Sequence, residues 1–383
     1  MRIIAKSIGL AALGALYVCG GAADSLAGGA LDEVAIFSIR DPNASFIDLQ
    51  ARRAELGAAG VAALRALLPP AAGCESANRP VPPRGRMKLP GRYLSGSHGA
   101  VDPAYTAAEK LYVKMWDAVS RAASRYAAFG EPEDAICVLN ILDDWAGAGA
   151  LLDYSAKESQ QAWFVAEWSG AAAGLALSVV RSEPGLPLEQ LRRVVGWLGR
   201  VAHKQISEPT GPTSCCNNHA AWRGLMAAAI GVVAKDDSLF RYGVGRYLDT
   251  LEQITADGSL PLEMARHESA LHYQSFTLLP MVGIAELAQR QGYDLYARQS
   301  RSGRTIHDAV RFLLDALDDP ALVERHAGVR QDLKSFKAGG RNLAWMEAYR
   351  RRFPSPRFER WLTTAPFEPL LGGASRVYWR TLP

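Results

Sequence analysis

The chain has 383 residues and 49% of them are hydrophobic, too much apolar material for a disordered protein and enough for a sizeable core. Lys and Arg number 43 against 39 Asp and Glu. That near balance, with no basic run of the kind that tracks a phosphate backbone, argues against a nucleic-acid partner.

The N-terminus reads as an export signal. Arg2 and Lys6 precede the apolar run Ile8 to Val18, which is too short to span a bilayer. Ser25-Leu26-Ala27 follows as a small-x-small cleavage site, so residues 1–27 read as a signal peptide. The expectation is a periplasmic protein with no membrane anchor once the signal is cut. Cys74, Cys137, Cys215 and Cys216 then remain, and their even count leaves three disulfide pairings open. No second strongly apolar span stands out.

Residues 75–104 are loop-like. Arg79-Pro80-Val81-Pro82-Pro83-Arg84 cannot be helix, and Ser95-Gly96-Ser97-His98-Gly99 is equally loose. The stretch carries Arg79, Arg84, Arg86, Lys88, Arg92 and His98. It reads either as a basic lid over an anionic substrate or as a solvated linker.

Helical signals follow. Asp102-Pro103 is an N-cap with Pro at the first helical position, and Leu111, Met115, Val119, Ala122 and Tyr126 then form one apolar stripe. Leu191, Val194, Val195, Leu198 and Val201 form another after Pro187. Phe240, Val244, Tyr247, Leu248 and Leu251 form a third, ended by Asp257-Gly258. Trp163 to Val180 and His219 to Val233 are rich in Ala and Gly, which suits close-packed inner helices. Alternating strands are missing. The fold class is all-α, and residues 28–383 read as one domain of antiparallel helix pairs curled into an incomplete (α/α) barrel, or toroid.

Several chemistries lack their residues. No CxxC pair, HExxH motif, phosphate loop or GxSxG elbow is present, so no metal and no cofactor is expected. Paired carboxylates occur at Asp143-Asp144 and Asp236-Asp237. Asp236-Asp237 reads as a helix cap. Asp143 or Asp144 keeps open a glycoside hydrolase. The unusual cluster is Cys215-Cys216-Asn217-Asn218-His219-Ala220-Ala221-Trp222 at the head of an Ala-rich helix. Downstream, Gly258-Ser259-Leu260-Pro261-Leu262-Glu263 leads to Arg266 and then Ala270-Leu271-His272-Tyr273. If that region is helical, Arg266 and Tyr273 share a face.

These segments resemble the family of periplasmic alginate lyases that cleave poly-β-D-mannuronate, polysaccharide lyase family five. The likeness runs from about Ala35 to Leu371-Gly372-Gly373. It implies an anionic polysaccharide partner and a reaction centre of Asn218, His219, Arg266 and Tyr273. It further implies that Trp222, the pair Arg92-Tyr93 and the loop residue His98 meet substrate. Its disulfides correspond to Cys74–Cys137 and to the adjacent Cys215–Cys216.

The implied chemistry is β-elimination. Removing the C5 proton beside a carboxylate requires that carboxylate to be neutralised, which Asn, His and Arg donors can do. Arg266 suits this because its fork binds a carboxylate bidentately and keeps its charge. Tyr273 would move the proton, and an ordinary Tyr pKa of about 10 would need a cation such as Arg266 to lower it. His219 would serve as base for the opposite C5 configuration.

The chain also departs from the family pattern. Ala220-Ala221 replace Ser-Tyr, and Arg223 follows the Trp. His267, Glu268 and Ser269 stand where basic residues are usual, and His98-Gly99 stand where Asp-Lys is usual. Mannuronan is the first-choice substrate. Another polyuronate such as glucuronan, a hydrolase and a non-catalytic polyuronate-binding protein are the alternatives.

Overall fold

The computed structural model describes residues 33–380 apart from 59, 69–72, 338–339 and 365. The signal peptide expected over residues 1–27 lies outside the described residues.

Two short helices, α1 (Leu49–Gly57) and α2 (Val61–Leu67), precede the loop expected over 75–104. The main body follows as α3 (Pro103–Phe129), α4 (Pro132–Gly147), α5 (Gln160–Val180), α6 (Leu188–Ser207), α7 (Asn218–Ala234) and α8 (Asp237–Leu251). The one-turn α9 (Pro261–Met264) leads into α10 (Ala270–Arg290) and α11 (Ile306–Asp318). Four shorter elements close the chain: α12 (Ala321–Ala327), α13 (Trp345–Arg352), a two-residue strand pair (Phe367–Glu368 with Gly373–Ala374) and α14 (Ser375–Trp379).

Helices α3, α5, α7 and α10 pack in succession as an inner row, and α4, α6, α8 and α11 back them as an outer row. The segment from Pro369 to Ala374 packs against α3, α5 and α10, between the two ends of the inner row. This is the incomplete (α/α) barrel that the stripes suggested.

The caps agree with the sequence. Asp102 accepts from the Ala104 N–H at the head of α3, and Asp236 accepts from the Ser238 and Leu239 N–H groups at the head of α8. The stripe residues Met115, Val119 and Ala122 are buried, as are Val194, Leu198 and Val201. Helix α8 stops at Leu251, short of the Asp257-Gly258 signal.

Small residues let the outer helix α8 close on the inner helix α7. A Cβ on Gly243 of α8 would lie 2.6 Å from the Ala228 Cβ and 2.6 Å from the Gly224 carbonyl oxygen of α7. Helix α5 is the close-packed inner helix that its Ala- and Gly-rich sequence suggested. It is long and apolar enough to cross a bilayer, yet its apolar window is wholly buried at the centre of the barrel.

Candidate active site

The site forms where the heads of α7 and α10 meet the 75–104 loop. That loop is stapled to the barrel. Cys74 is bonded to Cys137 of α4. Trp145 Nε1 donates to the Pro80 carbonyl, and Ser159 Oγ exchanges hydrogen bonds with the Leu89 backbone at 2.9 and 3.0 Å. Residues 92–102 double back as a short ribbon, with Asp102 N–H donating to the Arg92 carbonyl at 2.8 Å and Tyr93 bridged to Val101.

The ribbon's tip reaches the turn before α10. The hydroxyls of Tyr93 and Tyr273 lie 2.5 Å apart. Arg266 Nη2 donates to the Ser97 carbonyl at 2.8 Å. His98 Nδ1 lies 3.2 Å from Glu268 Oε1. At the base of the ribbon, Arg92 packs over the Tyr105 ring at 5.4 Å and stands 3.9 Å from Glu109.

Arg266 and Tyr273 meet, but not as residues of one helix. Helix α10 begins only at Ala270, after a tight turn in which His267 takes a φ of +51°. That turn folds the Arg266 guanidinium to 3.6 Å over the Tyr273 ring centroid. Arg266 therefore stands where it opposes the burial of the phenol. Burial wins: Tyr273 is held above its ordinary value, against the pull of Arg266 and Arg92 and with Tyr93 adding to the rise. The sequence-based expectation of a net lowering is corrected accordingly.

At the head of α7, Asn217 is the N-cap and accepts from the His219 N–H. The Cys215–Cys216 disulfide sits just before it. His219 lies flat on Phe164, with ring centroids 3.3 Å apart, and stacks on Trp168 at 5.6 Å. Its Nδ1 is 2.8 Å from Oε1 of Glu167, a carboxylate with no accessible surface on α5. Arg223 Nη1 donates to the other Glu167 oxygen at 3.4 Å, and Arg223 Nη2 donates to the Ser214 carbonyl. Burial holds His219 well below its ordinary value, and Arg223, Arg266 and Arg92 add to this, so the imidazole is neutral. Its Nε2 has no hydrogen-bond partner among the described residues.

Asn218 departs from expectation. Its backbone N–H donates to Glu263 Oε1 at 2.6 Å, and its side-chain Nδ2 donates to the same carboxyl at 3.1 and 3.3 Å. The amide nitrogen expected to face a uronate is thus taken up by the protein.

Trp222 is a second correction. It has no accessible surface and packs on Phe276 at 5.0 Å, so it stands in the core of the barrel instead of at the substrate face. Asp143 and Asp144 lie on the outer helix α4. Asp143 is paired with Arg193 at 2.7 Å and Asp144 with Arg79 at 3.0 Å. Neither joins the site, which removes the carboxylates on which the hydrolase reading rested.

Sequence reasoning missed Glu167 and Glu263, the partners of His219 and Asn218. It also missed Gln161 and Trp168 on α5, whose Oε1 and Nε1 are buried without a partner. A signal was present. Glu167 is the lone charged residue of its helix, and Gln161, Phe164 and Trp168 recur on one helical face.

A family model for alginate lyases matches residues 67–323. The chain belongs to the alginate lyase family. A polysaccharide lyase of Stenotrophomonas maltophilia is 32% identical over 303 residues, covering 77% of this chain and 88% of the relative. Alginate lyase A1-III of Sphingomonas species A1 superposes with a TM-score of 0.83 at 44% identity, covering 89% of this chain and 97% of that one. A histidine-to-alanine variant of A1-III, solved with a tetrasaccharide, superposes with a TM-score of 0.87 at 42% identity, covering 91% and 98%. Family membership thus spans the inner helices and both ends of the site described above.

Proposed function

We propose that the protein is an alginate lyase that cleaves β-1,4-linked polyuronate by β-elimination, with mannuronan as its preferred substrate. The single observation that carries this reading is the Arg266 guanidinium at 3.6 Å over the Tyr273 ring, with the Tyr93 hydroxyl 2.5 Å from that of Tyr273. A phenol under a fixed cation is the equipment for moving a proton next to a carboxylate. The A1-III relative supports it, since its tetrasaccharide complexes are those of a histidine-to-alanine and a tyrosine-to-phenylalanine variant.

In the proposed reaction Arg266 grips the uronate carboxylate, and its grip strengthens as charge builds there. Ionised Tyr273 takes the C5 proton. The electron pair forms the C4–C5 double bond and expels the 4-oxygen, to which Tyr273 returns the proton. On mannuronate the C5 hydrogen and the 4-oxygen lie on one side, so one residue serves both steps. His219, neutral and with Nε2 unpaired, is the acceptor on the other side for the opposite C5 configuration. No metal or organic cofactor enters these steps. The loop carrying Arg92, Tyr93 and His98 acts as a lid over the bound polymer.

We also propose that the protein works in the periplasm after loss of residues 1–27. Two disulfides, Cys74–Cys137 and Cys215–Cys216, support an oxidising compartment.

The test is the rise in ultraviolet absorbance of an unsaturated uronate on mannuronan, guluronan and glucuronan. The fastest rise is expected on mannuronan. A faster rise on glucuronan would move the substrate assignment, and no rise on any of the three would overturn the reading.

A further inference from the structure

Asn218 is wired against the task its position suggests. Its backbone N–H and its side-chain Nδ2 both donate to Glu263, and its Oδ1 is buried with no partner. A buried amide oxygen with no donor has lost its hydration without replacement, so the arrangement is costly. A substrate carboxylate brought beside that oxygen would add repulsion.

Glu263 is itself 1% exposed. Arg266 faces it from its own turn, Asn218 from α7, and the Thr277 hydroxyl from α10. Helix α12, also packed on α9, buries Val323 and keeps Arg325 and His326 exposed. Arg266 is thus the charged group at this carboxyl, and on substrate binding it is shared with the uronate.

We propose that Glu263 is a proton-linked positioning residue, which takes up a proton as a uronate binds and thereby turns the Asn218 amide toward the substrate. The inference rests on the polyuronate reading given above. In the protonated state Glu263 Oε1, as the carbonyl oxygen, still accepts from the Asn218 backbone N–H. Oε2, as the hydroxyl, donates to Asn218 Oδ1, which replaces Nδ2 in the place now 3.1 Å away. Nδ2 is then free to donate to the uronate carboxylate, and the stranded Oδ1 gains its donor. One proton comes from solvent and no covalent bond to carbon changes. Burial supports this, since it pushes the Glu263 carboxyl up to about 7 against the opposing Asn218 N–H and Arg266.

The sign follows. Below the Glu263 value the proton is already in place and binding draws none. Above it, each unit of pH weakens binding by up to about tenfold, because the proton must be taken up. Glu263→Gln mimics the protonated state, since its amide accepts from the Asn218 backbone and donates to Oδ1. Binding by that variant should lose this pH dependence.

Calorimetry of a mannuronate tetrasaccharide binding to the inactive Tyr273→Phe protein, in two buffers of different ionisation enthalpy, counts the protons. Uptake approaching one proton is expected at about pH 8, shrinking toward none at about pH 6. Adding Glu263→Gln should abolish the uptake and leave affinity nearly equal at the two pH values. Should that double variant fail to fold, the uptake by Tyr273→Phe alone still decides. Binding without proton uptake overturns the inference and leaves the lyase reading standing, as does uptake undiminished by Glu263→Gln. No binding, together with no cleavage by the unmodified protein, would bring down the lyase reading and this inference with it.

Discussion

His98 and Glu268 meet at 3.2 Å, Nδ1 to Oε1, with the His98 ring tilted against that of His267 at 4.4 Å. In the sequence each read as a separate loss of positive charge, one in the loop and one beside Arg266. In the fold they are two halves of one contact between the ribbon tip and the turn before α10. Glu268 spends its charge on His98, next to the Arg266 bond to Ser97.

The two sites should therefore be coupled. Both side chains are more than a third exposed, at 38% and 37%, so the pair contributes about 0.2–1 kcal/mol. Glu268→Lys should raise KM roughly two- to fivefold by removing the acceptor that His98 meets at the ribbon tip. Adding His98→Glu should restore most of the loss. A double-mutant cycle on KM with no coupling would separate this contact from closure of the loop.

Tyr273→Phe removes only the hydroxyl. Turnover should fall by about two to four powers of ten while the dissociation constant for a tetrasaccharide stays nearly unchanged. Tyr93→Phe should cost less, since its hydroxyl supports that of Tyr273 without reaching the C5 proton. Equal losses in the two variants, measured as kcat, would point to a shared role instead.

The pH dependence of turnover follows from the direction of the Tyr273 shift. Burial holds the phenol above its ordinary value, so the proton-accepting form is scarce near neutrality and grows as pH rises. The kcat measured at saturating substrate should climb from neutral into alkaline solution. A kcat that falls over that range would remove the Tyr273 phenolate from the rate-limiting step.

Glu167 joins His219 to Arg223, and removing it leaves a guanidinium that is 1% exposed without its carboxylate. Glu167→Ala should destabilise the fold by about 3–5 kcal/mol. Glu167→Gln, which keeps the shape and an acceptor for the His219 Nδ1 proton, should cost less. Thermal unfolding of the two variants gives the comparison, and equal melting temperatures would contradict the pairing.

The Cys74–Cys137 bridge closes a separation of 63 residues and anchors the start of the loop to α4. The chain-entropy estimate for such a loop is about 4 kcal/mol. Reduction should lower the melting temperature, and mass spectrometry of unreduced protein should recover this pair together with Cys215–Cys216. Four free thiols in exported protein would contradict both the pairing and the proposed compartment.

The helices were legible because apolar stripes and caps are local. Asp102 before Pro103 and the stripe from Leu111 to Tyr126 fix α3 without any tertiary information. Burial direction on an inner helix was not legible, because α7 is apolar nearly all round and no moment marks which side Trp222 faces. The partners of the site residues were not legible either. Glu167 reaches His219 from 52 positions away and Glu263 reaches Asn218 from 45, and no spacing rule links them. The same holds for the turn at His267, which brings Arg266 onto Tyr273 although the two do not share a helix.

The most direct test of elimination is to digest mannuronan in heavy-oxygen water and weigh the oligosaccharides. Elimination breaks the C4–O bond without water, so the products should carry an unsaturated, ultraviolet-absorbing end and no heavy oxygen from cleavage. With Tyr273→Phe they should form about a hundred- to ten-thousandfold more slowly. Saturated products that each carry one heavy oxygen at the cut would contradict a lyase, as would polymer left at its original length.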